Sequence, residues 1–420
     1  MISVAYAALW VFVFAVPWER LIVLTGVSII TRVTGALALG LALAVVVISA
    51  RLRRWRGFHV AALLFVVWAA IGVMILHLSE VPAKLYTFIQ LFLVMWIVWE
   101  LAPTGRRLMG LLLAYVLGAY VAALETILLY RRAAGELRRF AAGGSDPNSL
   151  AMTLALALPM AWYLGMTHPR SSVRWICRLY LPIGLFGIGL TGSRGGMITA
   201  LVALLIVPLA MTNLSPGKLV MTIVMLAISG GLAVAYVPDT VIERLSTTGE
   251  SVQDLSLGGR FRLWQAGMHA FTQKPIMGFG TSAYKFAIFP EMGDLTQLAH
   301  NSYISVLVEE GIVGLLLFLL MFVLVLGPIL RLPRLERRFA LVLLATLMVA
   351  MSPLTWEDQK PVWFILAALI GLANAPIGQA AGAMRQVFTP RPVQRRVPAM
   401  GPTVGRMAQP RGAMGGDPPA

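Results

Sequence analysis

Apolar runs close to the length of a membrane-crossing helix recur along most of this 420-residue chain, for example at 60–76, 108–128, 219–237 and 312–329. A helix needs ~20 such residues to cross ~30 Å of hydrocarbon. Within lipid each backbone N–H and C=O must be satisfied internally, which leaves helices and closed barrels as the spanning structures. Barrel strands read as short alternating segments, and no such alternation occurs. Only 12% of the residues are charged, about half the share of a soluble domain. The expected fold is an all-α polytopic membrane protein of about 12 transmembrane helices.

The spans are expected at 3–16, 35–50, 60–78, 84–101, 108–130, 149–167, 175–191, 195–211, 218–237, 302–329, 339–355 and 361–376. The segment 17–34 is apolar but interrupted by Glu19 and Arg20, and reads either as an interfacial helix or as part of an extra span. The first sixteen residues lack a basic start and a small-residue cleavage site, so they read as a retained helix. The expected organisation is N-terminal transmembrane helices over 1–237, a large hydrophilic loop over 238–301 between the ninth and tenth helices, C-terminal transmembrane helices over 302–377, and a disordered basic tail over 378–420. The tail is rich in Pro, Gly, Arg and Met and has no apolar periodicity.

The net charge of +16 has to be sorted by membrane side before it implies a partner. With the N-terminus inside, the basic clusters at Arg51, Arg53, Arg54 and Arg56, at Arg106 and Arg107, at Arg170, Arg174 and Arg178, and at Arg331, Arg334, Arg337 and Arg338 fall in cytoplasmic connections. That is the positive-inside pattern. It accounts for the charge through the lipid bilayer and calls for no nucleic-acid partner. Arg131, Arg132, Arg138 and Arg139 run against the trend, and either attract an anionic substrate or are solvated charge. The single cysteine, Cys177, reads as a small buried hydrophobe.

The strongest local signal is His300-Asn301-Ser302, followed by Gly311 and Gly314. Asn301 or Ser302 can cap the helix that begins there, placing free N–H groups and the positive dipole end beside the imidazole. Such a field favours the neutral, proton-accepting form. Arg194 sits among glycines in Thr191-Gly-Ser-Arg-Gly-Gly196, where backbone N–H groups can turn toward an anion; snorkelling to the interface is the plain alternative. Arg260 and Arg262 open an amphipathic segment in the large loop. Arginine suits pyrophosphate because its planar fork donates two hydrogen bonds and remains charged. Glu309 and Glu310 lie over two turns into an apolar helix, where a bare carboxylate is expensive, so a buried structural partner is expected for one of them. Asp146 and Asn148 read as helix caps or acceptor-positioning groups. No phosphate-binding P-loop, H-E-x-x-H zinc site or aspartate cluster is seen, so no cofactor or metal is expected.

The spacing from His300-Asn301 to Gly311 and Gly314 resembles the signature that follows the large periplasmic loop of O-antigen ligases, which related polysaccharide polymerases and protein O-oligosaccharyltransferases share. Asp146-Pro-Asn-Ser-Leu-Ala151, Gly192-Ser-Arg-Gly-Gly196, and Gly259-Arg-Phe-Arg-Leu-Trp264 leading to Pro275-Ile-Met-Gly-Phe-Gly280 are similar to that family's other motifs, in the same order. The resemblance implies a GT-C-like glycosyltransferase of the bacterial inner membrane with its site facing the periplasm. It would transfer glycan from an undecaprenyl-pyrophosphate donor to a hydroxyl of lipid A core, or to a growing glycan if it is a repeat-unit polymerase; transfer to protein is third. The implied roles are catalytic for His300 and substrate-binding for Arg194, Arg260, Arg262 and Asn301. A lipid-linked-sugar transporter or flippase is the rival from another class. It would explain the helices and the basic groups but not the histidine signature.

Overall fold

A computed structural model of the chain describes residues 2–24, 27–75, 83–132, 139–205 and 259–375, with five further helical positions between 217 and 231. Among the described residues the helices are α1 (Ile2–Ala15), α2 (Ile29–Ser49), α3 (Gly57–Ile75), α4 (Ala83–Leu101), α5 (Gly105–Arg132), α6 (Pro147–Thr167), α7 (Ser171–Leu190), α8 (Arg194–Leu204), α9 (Arg260–Gln273), α10 (Tyr284–Met292), α11 (Ser302–Leu330), α12 (Arg334–Met351) and α13 (Lys360–Asn374). The only strands among them are two residues each, Val23–Leu24 paired with Val27–Ser28.

Among the described residues eight segments are long and apolar enough to cross a membrane: α1 with the turn that follows it, α2 to α7, and α11. The chain is a multi-pass membrane protein. Helices α8 and α13 are apolar but shorter, and α12 opens on a turn containing Arg334, Glu336 and Arg337. The ninth expected span, 218–237, and the tail, 378–420, lie outside the described residues apart from isolated positions in the former. The segment 17–34 makes no extra crossing. Val16–Leu21 is a 3-10 turn, a two-residue hairpin follows, and α2 begins at Ile29 instead of 35. Early hydroxyls of α2 are accommodated because Thr34 Oγ1 donates back to the Ile30 carbonyl at 2.6 Å and Thr31 Oγ1 to Glu19 Oε2 at 2.7 Å.

Burial sorts the helices. Each residue of α6 from Leu150 to Gly165 is buried, as is each residue of α13 from Pro361 to Leu372; a helix apolar on all faces belongs inside a bundle. Helix α6 packs on α5, α7, α8 and α12, and α13 on α4 and α11. By contrast only Thr31, Ala38 and Ala42 of α2 are buried, so that helix lies at the rim. The arginine clusters expected on one side share one end of the bundle. There the Arg53 backbone N–H donates to the Glu100 carboxylate, Arg53 stacks over Trp99, and Arg107 donates to the Leu101 carbonyl. The starts of α4, α6, α8, α11 and α13 gather at the opposite end, with α9 and α10 beside them.

Candidate active site

Four of the gathered starts are fastened by the connection between α12 and α13. Thr355 Oγ1 accepts from the His300 N–H at 3.1 Å. Ser302 Oγ donates to the Leu354 carbonyl and accepts from the Trp356 N–H, both at 2.8 Å. Trp356 Nε1 donates to Ser149 Oγ at 3.1 Å. Pro353 rests where a Cβ on Gly195 would stand. One short wall therefore joins the beginnings of α6, α8, α11 and α13.

His300 occupies this wall in an unusual backbone state, with φ of +46°. Histidine visits the left-handed region more readily than most non-glycine residues, but the region still costs energy and is sparsely used. Here it is fixed from both sides. Thr355 holds the His300 N–H, and the next residue caps α11, with Asn301 Oδ1 accepting from the N–H groups of Tyr303 at 2.9 Å and Ile304 at 3.1 Å. The cap expected at Asn301 is thus formed, and its oxygen is used by the backbone. The Asn301 amide nitrogen makes no hydrogen bond among the described residues. Burial, and after it the positive charge of Arg260, hold the imidazole below its usual range, with the Asp146 carboxylate pulling in the other direction. Both charges therefore lie within electrostatic reach of His300.

Arg260 is the first residue of α9, preceded by Gly259 at φ +86°. Trp264 Nε1 on the same helix donates to the Ala299 carbonyl at 2.8 Å, tying α9 to the residue before His300. Arg262 is exposed. Arg194 opens α8, capped by Ser193, whose Oγ accepts from the Gly196 N–H at 3.1 Å. Glycine is needed at 196 because a Cβ there would collide with Ala151 of α6. Arg139 donates to the Thr191 carbonyl at 2.9 Å and to Asn148 Oδ1 at 2.8 Å, joining the turn before Arg194 to the start of α6. So Arg139 holds two motifs together, and Asp146 caps α6 by accepting from Ser149 N–H at 2.8 Å.

Beneath the wall lies a buried charge cluster. Lys84 Nζ contacts Glu309 Oε2 at 2.7 Å and Glu357 Oε1 at 2.5 Å, and Ser305 Oγ donates to Glu357 Oε1 at 2.7 Å. Glu310 Oε1 accepts from Thr281 Oγ1 at 2.7 Å. Glu309 and Glu310 thus each have a structural partner. Lys84 and Glu357 were missed by the sequence reading; the available signal was a charged residue next to an apolar run in each case.

Helix α11 is broken at Gly311, with φ +65° and ψ −171°, a region essentially reserved for glycine. Three carbonyls next to the break are taken up from outside the helix. Val308 O accepts from Phe279 N–H at 2.9 Å, Glu309 O from Gly280 N–H at 2.7 Å, and Glu310 O from Trp68 Nε1 at 2.8 Å. Ile312 N–H donates to Pro275 O at 2.8 Å. A Cβ on Gly311 would strike the Ile276 carbonyl, and one on Gly278 the Glu309 carbonyl. The Pro275-to-Gly280 motif is therefore a backbone plug for the open helix.

Residues 179–319 match the family model for O-antigen ligase. This stretch is similar to the O-antigen ligase family. It covers about a third of the chain and contains Arg194, Arg260, Arg262, His300, Asn301 and the Gly311 break, whereas Lys84, Asp146 and Glu357 lie outside it. An uncharacterized protein of Haemophilus influenzae is 27% identical over 157 residues. That match spans 33% of this chain and 39% of the relative, so the chain covers well under half of the relative's length.

Proposed function

We propose that the chain is a membrane-embedded glycosyltransferase of the O-antigen ligase type, moving glycan from an undecaprenyl-pyrophosphate donor to an acceptor hydroxyl of lipid A core. The observation that carries the reading is His300, a half-buried imidazole kept toward its neutral form beside Arg260. A neutral imidazole accepts the proton of the acceptor hydroxyl as that oxygen bonds to the anomeric carbon. The bond from that carbon to the pyrophosphate oxygen breaks in the same step, and its electron pair leaves on the pyrophosphate. Arg194 and Arg260 hold the departing charge, with Arg262 further out on α9. Fixed cations do such work well because they need no reorganisation as charge develops. One displacement inverts the anomeric configuration and uses no metal. Polymerisation of repeat units is the second reading, since the family match accommodates it equally; the acceptor that is consumed separates the two.

Each arginine–phosphate contact is a charge-assisted hydrogen bond worth ~1.5–3 kcal/mol. Arg194→Ala and Arg260→Ala should each lower transfer by about tenfold or more. Arg194→Lys should recover only part, since lysine lacks the two-pronged donor. Activity should survive EDTA. Normal transfer by both alanine variants at equal membrane abundance would remove the arginines from the reaction.

The proposed orientation puts the His300 end, with the 238–301 loop, in the periplasm, and the Arg53 end, with the 378–420 tail, in the cytoplasm of an inner-membrane protein. Thr296 and Arg54 are exposed at opposite ends. Cysteine at 296 should react with a membrane-impermeant thiol reagent in cells whose outer membrane alone is permeabilised, and cysteine at 54 only after the inner membrane is opened. The reverse pattern would invert the topology and place the site away from its donor.

A further inference from the structure

A cavity of about 510 Å³ opens between α1, α2 and α4 at the His300 end of the bundle, outside the arrangement around Arg194 and Arg260. Its floor is apolar, formed by Phe12, Leu39, Leu91, Val94 and Ile97, and its mouth is polar. Two of the mouth's cations are uncommitted. Glu19 is occupied by Lys360 at 2.7 Å and by the Thr31 hydroxyl, and the Asp358 carboxylate accepts from Gln359 Nε2 and is held toward its neutral form by burial. Arg20 and Arg32, both exposed, make no ion pair or hydrogen bond among the described residues. The backbone under Arg20 is nevertheless rigidly seated, since Gly143, at φ +59°, packs directly on its carbonyl. Helix α2, barely buried, forms one side of the cavity. An apolar shaft beneath a net positive mouth is complementary to an anionic lipid, with hydrocarbon in the shaft and phosphate at the arginine forks.

The cavity also leads somewhere. Glu19, Arg20 and Gln359 line both it and a small neighbouring cavity of about 40 Å³ whose other walls include Ser149 and Trp356. Trp356 follows Thr355, which holds the His300 N–H. We infer that the α1–α2–α4 cavity binds a phosphate-bearing, hydrocarbon-anchored lipid distinct from the pyrophosphate donor, and that this lipid is the acceptor, entering from the bilayer past α2 with its headgroup directed along the Trp356 wall to His300. The acceptor assignment rests on the function proposed above; the lipid site does not.

The test uses the full-length protein in nanodiscs, with dioleoyl phosphatidic acid as the probe and native mass spectrometry as the readout. Arg20→Gln/Arg32→Gln should lower phosphatidic acid occupancy about tenfold or more and leave phosphatidylcholine occupancy unchanged. Ala36→Trp, which fills the shaft without altering charge, should lower it as well. Undiminished occupancy in both variants would overturn the site. Displacement of the lipid by millimolar inorganic phosphate would show that the hydrocarbon contributes nothing, and would overturn it also. If undecaprenyl pyrophosphate competes for the same occupancy, the cavity belongs to the donor and the second-lipid assignment falls. In the transfer assay the double glutamine variant should raise the acceptor KM about tenfold with donor affinity unchanged. A wild-type protein that binds the probe as expected but transfers no glycan would defeat the proposed function and leave the lipid site standing.

Discussion

His300→Gln is expected to reach the membrane at normal abundance, bind donor at near-normal affinity and lose roughly 10²–10⁴ in transfer rate, the range associated with a positioned general base. Glutamine preserves size and polarity but cannot take a proton. It can also keep the N–H bond to Thr355, because that contact uses the backbone. The same exchange at His59, His77, His168 or His269 should cost far less. The depressed imidazole adds a pH signature. A base is active when unprotonated, so the acid limb of the rate profile should fall below the ~6.5 of a free histidine, with full activity retained above it. Arg260→Gln removes a neighbouring positive charge that holds the value down, so it should move that limb upward. Near-normal transfer by His300→Gln would refute the base assignment. A folded variant that no longer binds donor would move His300 to the pyrophosphate.

Lys84→Met should be strongly destabilising. Lys84 is the shared partner of Glu309 and Glu357, and both carboxylates are buried, Glu357 completely. Removing one member of a buried ion pair leaves an uncompensated charge and typically costs 3–5 kcal/mol. In detergent this should appear as a large drop in unfolding temperature, with His300-dependent transfer lost because Glu357 belongs to the wall that holds Thr355. The triple variant Lys84→Met/Glu309→Gln/Glu357→Gln removes the stranded charges and should regain most of the stability. A single variant as stable as wild type would mean that the carboxylates are accommodated without the lysine.

What the sequence made legible, and what it did not, follows from the range of the interactions involved. The apolar runs fixed helix positions to within a few residues for α3, α4, α6 and α7, because crossing a bilayer is a demand on a single segment. The Asn301 cap was equally readable, since a cap bonds to N–H groups two and three residues on. Helix α2 began six residues earlier than expected because the bond that accommodates Thr31 reaches to Glu19, across a turn whose shape the local pattern did not reveal. The Lys84–Glu309–Glu357 cluster joins residues more than two hundred positions apart in both lysine contacts, so no window of sequence contains it. The wall at Thr355 and Trp356 was invisible for a related reason: it contributes hydrogen bonds from ordinary loop residues and carries no motif. The cavity under Arg20 and Arg32 depends on how three helices diverge, which periodicity does not encode.

The backbone plug at Gly311 bears on how such proteins can be recombined. Within hydrocarbon an unsatisfied carbonyl costs several kcal/mol, and the opened turn of α11 is complete only when the Pro275-to-Gly280 strip lies against it. The large loop is therefore not a cassette that ends where the membrane begins. A chimaera that borrows a relative's loop but keeps its own α11 would set a foreign strip against a native gap. The smallest heritable unit runs through both glycines, from α9 to beyond Gly311, and breakpoints in viable hybrids, natural or built, should fall outside it.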